Sequence, residues 1–198
     1  AYAVRRLLNA PYHGAVLLEG FRDVGFGLST AFAIITVKLG VVEPLGLTRS
    51  DDVRTYPCAG TTDSIANANG EAPSLFPLTE GQNWGQPIMV FGNDDLTVTS
   101  ASIVGPEGVV PVRAIFGKGN RPDPNKLINA RTAFVVPTSL YTNSTYSVTI
   151  NGTNKGVPFT RSFNFTTGIH TFSGIFANGE RCTVKYEGGN GPNTKTCL

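Results

Sequence analysis

The chain has 198 residues and a formal net charge of +2, with 15% charged and 40% hydrophobic residues. The apolar residues recur in strand-sized groups, which excludes a disordered chain. A balance this close to neutral, with Arg5-Arg6 as the only adjacent basic pair, argues against a nucleic-acid partner. No apolar run approaches about 18 residues, so the sequence predicts no transmembrane helix.

Residues 1–43 predict a small α+β element. Two short helical patterns are separated by Pro11, which ends the first. Residues 21–28 and 31–42 then predict two strands, joined through Ser29-Thr30 as an antiparallel hairpin. The predicted apolar positions of the helices are Val4, Leu7 and Leu8 in the first and Ala15, Val16 and Leu18 in the second.

The order Ala-Pro-Tyr-His (residues 10–13), apolar helix and Phe-x-x-Val-Gly-Phe-Gly (residues 21–27) resembles the last third of the bacterial CAP domain. This is the cysteine-rich secretory, antigen 5 and pathogenesis-related 1 superfamily. Gly14 stands where that pattern has Arg. His13 matches a helix His and not a cavity His, so the resemblance implies no metal site here. The chain opens inside a helical pattern, which indicates a mature or truncated product, or an element that another segment completes.

Residues 44–85 predict an irregular Pro/Gly-rich connector, extended or polyproline II in backbone. Tyr-Pro-Cys-Ala-Gly (residues 56–60) and Glu-Ala-Pro (residues 71–73) resemble the connector between a bacterial CAP domain and its C-terminal sandwich. Trp84 has two interpretations here. It either plugs one domain against another or marks a recognition surface.

Residues 86–168 predict about seven short strands without an intervening helix, which favours an immunoglobulin-like β-sandwich. Pro111 places its strand at a sheet edge. The pattern Pro-x-x-Leu-x-x-x-x-x-Tyr-x-Val (residues 137–148) resembles bacterial Ig-like domains of surface proteins. That resemblance implies a tyrosine-corner role for Tyr146. The predicted fold class is therefore mainly β, an immunoglobulin-like sandwich with a small N-terminal α+β, CAP-like element.

Residues 169–198 predict an added C-terminal hairpin, with a turn at Asn178-Gly179. Cys182 and Cys197 bracket a Gly/Asn-rich loop and form either a disulfide or two unpaired thiols. A disulfide would stabilise the tail by about 3 kcal/mol and indicates an oxidising compartment. Cys58 is left over, without a CxxC spacing or a nearby His, and predicts no catalytic role.

Neither His13 nor His170 has a second His, Cys or carboxylate at ligand spacing. We therefore predict no metal site, no cofactor and no catalytic residue. At residues 93–95 (Asn-Asp-Asp), a solvated turn is favoured over a calcium site, because the alternating oxygen ligands of an EF-hand are missing.

Other polar residues leave alternatives open. Residues 116–126 form either an ordinary loop or a site for an anionic ligand, through Lys118, Arg121 and Lys126. Three Asn residues match the N-glycosylation pattern and are chance matches if the source is bacterial. They are Asn143, Asn151 and Asn164.

The function predicted from these patterns is a non-catalytic binding or adhesion module, secreted, periplasmic or at the cell surface. Its partner would be an unknown protein or glycan. One alternative is a fragment of a CAP-type hydrolase or of a lipid- or metal-binding domain, whose catalytic half lies outside this chain. A third prediction is structural, with exposed N-terminal strands pairing across a homo-oligomer.

Overall fold

The computed structural model shows a mainly β protein whose strands lie in several sheets, which confirms the predicted class. The immunoglobulin-like sandwich, the CAP-like element and the domain boundaries after residues 43, 85 and 168 stay predictions. The structure describes residues 7–19, 23–29, 34–40, 52–68, 71–81, 83–93, 95–168, 170–175, 179–186 and 194–197.

The described N-terminal part contains a short helix and a pair of strands. Helix α1 spans Pro11–Leu18 and begins at a proline, which suits a position whose N–H has no partner within the helix. Strands β1 (Asp23–Ser29) and β2 (Ile34–Gly40) pair antiparallel, so the predicted hairpin is confirmed. Of the first predicted helix, residues 7–9 are helical and residues 1–6 lie outside the described residues.

The buried face of α1 differs from the predicted one. Ala15 and Leu18 pack against the core, but Val16 is 50% exposed, so its prediction as a core-facing residue is wrong. The helix instead makes its closest approach to the body at Gly14. A Cβ there would lie 2.3 Å from the Cε of Met89 and 2.9 Å from the backbone carbonyl oxygen of Leu8, so the Arg of the CAP pattern would require both neighbours to shift.

Residues 44–85 are more regular than the predicted connector. They contain strand β3 (Arg54–Tyr56), strand β4 (Thr61–Ser64) and a 3-10 helix at Leu78–Glu80. Both strands are short and lack an alternating apolar pattern, so the sequence does not reveal them. Each is a strand because it adds to the edge of a larger sheet.

The body of the protein consists of two larger sheets. Their other strands are β5 (Ile88–Phe91), β6 (Leu96–Gly105), β7 (Gly108–Val110), β8 (Val112–Phe116), β9 (Thr132–Pro137), β10 (Thr145–Asn154) and β11 (Val157–Thr167). One sheet has five strands in the order β4-β11-β10-β6-β7, and the other has four in the order β3-β5-β9-β8. Neighbours are antiparallel except β4, which runs parallel to β11.

The strand that the sequence predicts across Val110, Val112 and Ala114 is divided at Pro111. Strand β7 lies at the edge of the five-stranded sheet, and β8 lies at the edge of the four-stranded sheet. Proline has no N–H to donate to a ladder, so the chain changes sheets at this residue. The edge position predicted for one strand is confirmed, but the structure has two edge strands here, β7 and β8, in different sheets.

Strands β5 and β9 are buried on both faces. Val90 and Val135 belong to a first buried cluster, which also contains Val148 of β10 and therefore joins the two larger sheets. The alternate residues Met89 and Phe134 belong to a second cluster on the opposite side. This two-sided burial explains why the sequence of β9 is a continuous apolar run without polar alternation.

The second cluster fastens α1 and the connector onto the body. Trp84 is completely buried, and its ring lies 5.4 Å from that of Phe76. Tyr12 of α1 meets Phe134 of β9 edge-on, with ring centroids 6.1 Å apart. Trp84 is therefore an internal packing residue, and the alternative of an exposed recognition surface is wrong.

The C-terminal tail forms a three-stranded sheet of β12 (His170–Ile175), β13 (Arg181–Tyr186) and β14 (Thr194–Cys197). Antiparallel pairing of β12 with β13 confirms the predicted hairpin. Strand β14 was not predicted. Asn178 of the predicted turn lies outside the described residues.

Tyr146 has the packing and the hydrogen bond that the sequence predicts. Its ring is stacked on Phe165 with centroids 5.5 Å apart and lies against Gly105, where a Cβ would be 2.4 Å from the ring. Its hydroxyl accepts the backbone N–H of Tyr141 at 2.7 Å. This bond fixes the turn before β10 to the core.

Replacing Tyr146 by Phe keeps the ring and removes the acceptor for the Tyr141 N–H. We expect the free energy of unfolding to fall by about 1–3 kcal/mol, because a partly buried donor loses its partner. Urea titration followed by circular dichroism measures the change. Tyr141→Phe is the matched control, since its exposed hydroxyl bonds only to Glu107 among the described residues, and its effect should stay within about 0.5 kcal/mol. Equal losses in the two variants would contradict this account.

Candidate functional site

His13 is paired with a carboxylate that sequence spacing does not indicate. Its Nδ1 lies 2.7 Å from Oε2 of Glu71, which is 58 residues away in the chain. The other oxygen of Glu71 accepts the N–H of Tyr12 at 2.6 Å. The Glu71 side chain is 6% exposed, whereas the His13 side chain is 50% exposed. The side chain of His170 lies outside the described residues.

Tyr12 extends this contact into a polar group that we call the Tyr12 cluster: Tyr12, His13, Glu71, Asp123 and Asn125. The Tyr12 hydroxyl donates to Asp123 and accepts from Nδ2 of Asn125 at 2.9 Å. The same Nδ2 donates to the carbonyl oxygen of Ser74 at 2.7 Å. The cluster thus connects α1 with two separate loops.

The ionisation of the cluster follows from its burial and hydrogen bonds. Burial raises the pKa of Tyr12 far above its usual value, and the nearby carboxylate of Asp123 adds to the rise. Burial also acts to raise the pKa of Asp123. The hydrogen bonds from Tyr12 and from the N–H groups of Asn125, Ile128 and Leu127 together outweigh it and hold that pKa below its usual value.

The hydrogen bonds of the Tyr12 cluster hold α1 against the two loops. Among the described residues, the hydrogen-bonding atoms of Tyr12 and Asp123 face each other or nearby backbone, so they are occupied within the protein. Within the described part of the chain, the His13 side chain hydrogen-bonds to Glu71 alone. The arrangement positions α1, and among the described residues no nucleophile hydrogen-bonds to the imidazole.

One group of potential metal-ligating side chains occurs in the described part of the chain, formed by Glu180, Cys182 and Cys197. The two sulfur atoms are bonded to each other at 2.01 Å, so neither is available as a thiolate. The predicted disulfide is confirmed, and Cys182 and Cys197 lie opposite each other in β13 and β14. Cys58 is a free, exposed thiol.

Two of the three basic residues of the loop at 116–126, Arg121 and Lys118, pair with carboxylates. Nη1 and Nη2 of Arg121 donate to the two carboxylate oxygens of Glu80, at 2.8 and 2.6 Å. Lys118 pairs with Asp95. In the turn at residues 93–95, the possible calcium site, this carboxylate is therefore already paired with a cation. Asp94 lies outside the described residues, and Lys126 is exposed. The geometry favours an ordinary loop over an anion site.

A different surface has the character of a binding site. The residues of β10 alternate, with Tyr146, Val148 and Ile150 buried and their neighbours directed to the opposite side. The register of β6 and β11 continues this side across three strands. We call it the hydroxyl face. Its outward positions are Thr97, Ser100, Ser102, Val104, Thr145, Ser147, Thr149, Asn151, Thr153, Pro158, Thr160, Ser162, Asn164 and Thr166.

The hydroxyl face carries no charged side chain at these described positions. The one charged residue within β6, β10 and β11 is Arg161. It lies in register with Ile150 on the inward side, and its Nε donates to the carbonyl oxygen of Val53 at 2.9 Å. All outward positions are Ser, Thr or Asn except Val104 and Pro158.

Side chains of the hydroxyl face are ordered by hydrogen bonds between strands. Thr149 and Ser162 join at the centre with 3.1 Å between their hydroxyl oxygens. Asn151 donates to Ser100 at 3.1 Å and accepts from Thr160 at 2.8 Å. Such cross-strand pairs each contribute about 0.2–1 kcal/mol to the sheet and favour these side-chain orientations.

Near the start of β10, the side-chain hydroxyl oxygens of Thr145 and Thr166 are hydrogen-bonded at 2.9 Å. Two of the glycosylation-pattern residues, Asn151 and Asn164, lie on this face, and Asn143 is exposed in the preceding turn. The apolar half of the alternation predicts the core and gives no indication of this face. The sequence does contain an indication of this face. The alternate residues of 145–153 and 158–166 that point away from the core are uncharged throughout.

No protein-family model matches the chain, and no curated protein matches it. Within the described residues, no helix combines the length and apolar character needed to cross a membrane.

Asp123→Asn tests the Tyr12 cluster. The pKa of Asp123 is lower in the folded state than the usual value of about 3.9. The ionised carboxylate therefore stabilises the fold at pH values above about 3.9, and this stabilisation is lost as pH falls through the folded-state pKa. We expect the variant to lose about 2 kcal/mol of unfolding free energy at pH 7, through weakened charged hydrogen bonds.

Urea titrations of both proteins at pH 7 and pH 3 measure this difference. The gap between them should shrink at pH 3, which is below the usual pKa of about 3.9, because unfolding of the native protein then takes up a proton at Asp123. Asp95→Asn is a control on an exposed pair and should change little. A gap for Asp123→Asn that is equal at both pH values would refute the charged role of this carboxylate.

The double variant Cys182→Ser and Cys197→Ser tests the disulfide. We expect amide exchange in residues 170–197 to accelerate about 100-fold, corresponding to about 3 kcal/mol for a loop of this size. The described members of both buried clusters come from outside β12–β14, so the urea midpoint followed by Trp84 fluorescence should stay unchanged. Cys58→Ser serves as the control, and unchanged exchange in the double variant would contradict the prediction.

Proposed function

We propose that this chain is a non-catalytic binding or adhesion module of a secreted or cell-envelope protein. The observation that carries the proposal is the hydroxyl face, an open and uncharged side of three paired strands. Its side chains are ordered by contacts such as Thr149 with Ser162. Ordered, exposed polar groups on a rigid sheet lose little conformational entropy when a partner binds.

The setting of the proposed function rests on the disulfide. A bond between Cys182 and Cys197 persists in oxidising compartments and is rare in reducing ones. The low content of charged residues fits a module that meets an uncharged surface. Secretion or display on the cell envelope is therefore the location that we propose.

We also propose that residues 86–168 form an immunoglobulin-like sandwich. Two sheets share the first buried cluster, as in such domains. Tyr146 supports the assignment, because its hydroxyl bonds to backbone five residues upstream, as in a tyrosine corner. Helix α1 followed by the antiparallel pair β1 and β2 supports the CAP-like element for residues 1–43.

A second candidate is a fragment of a CAP-type hydrolase or of a lipid- or metal-binding domain. The pairing of a half-exposed His13 with the buried carboxylate of Glu71 favours it, because an imidazole oriented by a carboxylate is a common acid–base arrangement. The first candidate is preferred because Glu71 also binds the backbone of Tyr12 and so has a holding role.

Binding to isolated bacterial cell envelopes tests the proposal. The full chain, labelled at the exposed thiol of Cys58, should be retained saturably, about tenfold above an unrelated labelled protein of similar charge. His13→Ala should bind equally well, since the proposed surface lies elsewhere. No saturable retention would refute the proposal. Release of soluble envelope products that His13→Ala abolishes would favour the second candidate.

A further inference from the structure

We infer that the hydroxyl face binds an electrically neutral polysaccharide. This inference rests on the proposed function and specifies its ligand class. The relevant observations are the absence of charge at the described outward positions, the donor and acceptor chemistry of Ser, Thr and Asn, and the open shape of the surface.

Charge decides between neutral and ionic polymers. A polyanion is bound mainly through Lys and Arg, and a polycation would need carboxylates. The hydroxyl face offers neither at its described positions. Arg161 is turned to the inward register and binds Val53. Of the charged residues that flank these strands, Glu107 bonds to Tyr141, Asp95 pairs with Lys118, Lys155 lies in the turn between β10 and β11, and Asp63 lies in the neighbouring strand β4.

Composition decides between a glycan and a protein partner. Protein interfaces are enriched in Tyr, Trp, Met and Arg and are depleted in Ser. Three paired strands with Ser, Thr and Asn at nearly every outward position have the opposite composition. Hydroxyl and amide groups both donate and accept hydrogen bonds, and so do sugar hydroxyls.

The ordered pairs of the face leave capacity for a ligand. In the contact of Thr149 with Ser162, one hydrogen joins two oxygens, so one hydroxyl hydrogen and several lone pairs remain. Asn151 uses one amide hydrogen on Ser100 and accepts from Thr160, which leaves its second amide hydrogen. Side chains that these hydrogen bonds already orient lose less entropy on binding.

The shape of the face favours a polymer over a single sugar. Small molecules bind in concave pockets that enclose most of their surface, and an open sheet side cannot enclose one sugar. Neighbouring strands lie about 4.8 Å apart and alternate residues about 6.8 Å apart, so the hydroxyl groups form a repeating array. A polymer with repeating hydroxyl groups can contact many members of this array at once.

The first experiment measures co-sedimentation of the full chain with insoluble cellulose, chitin and mannan at physiological salt. Thr149→Val combined with Ser162→Ala removes both partners of the central pair and keeps the strand fold. We expect binding to at least one neutral polymer, weakened about fivefold or more in this double variant, because about one net hydrogen bond is lost. Thr149→Lys, which places a charge at the centre, should bind more weakly still.

Thr79→Val and Thr79→Lys are the matched controls, since Thr79 is exposed in the 3-10 helix at Leu78–Glu80, outside the hydroxyl face. Both should bind as the native chain does. Unchanged circular dichroism and Trp84 emission would show that each variant is folded. The inference is overturned if no neutral polymer binds, or if Thr149→Lys binds as strongly as Thr79→Lys.

The second experiment separates failure of this inference from failure of the proposed function. Cell envelopes are treated either with periodate, which oxidises vicinal diols, or with protease. Loss of binding after periodate alone supports a glycan. Loss after protease alone indicates a protein partner, which overturns the inference and leaves the binding function intact. Absence of envelope binding before treatment overturns both.

Discussion

The burial of β5 and β9 on both faces is the constraint on which the rest of the structure depends. One side of these strands packs on the five-stranded sheet through residues such as Val135, and the other side packs on α1 and the connector through Phe134. Both layers therefore take their positions from the same two strands. The inward side of β10, opposite the hydroxyl face, packs on this doubly supported core through Val148 and Ile150.

The alternation of apolar and polar residues along a single strand can be predicted from the sequence. Contacts between residues far apart in the chain cannot. Tyr146, Val148 and Ile150 repeat every second residue, so β10 and its buried side could be predicted. Strands β3 and β4 were missed because they are short and are stabilised by the edges they join. The pairing of His13 with Glu71 spans 58 residues, and no local pattern encodes it.

The candidate site illustrates a related limit. The apolar half of an alternating strand predicts a core, so the polar half is usually taken as ordinary solvent-facing sequence. Only the register of β6, β10 and β11 shows that three such halves share one side and that Arg161 points away from it. Trp84 gives the opposite case, since a residue type that is common in recognition surfaces is here fully internal.

The passage of the chain through Pro111 has a mechanical consequence. The five-stranded sheet continues directly into the four-stranded sheet between β7 and β8, with a single residue between these strands. A pulling force on the five-stranded sheet is therefore transmitted covalently to the sheet that holds α1, in parallel with the shared apolar packing. Relative sliding of the two sheets is opposed by this covalent link as well as by side-chain packing.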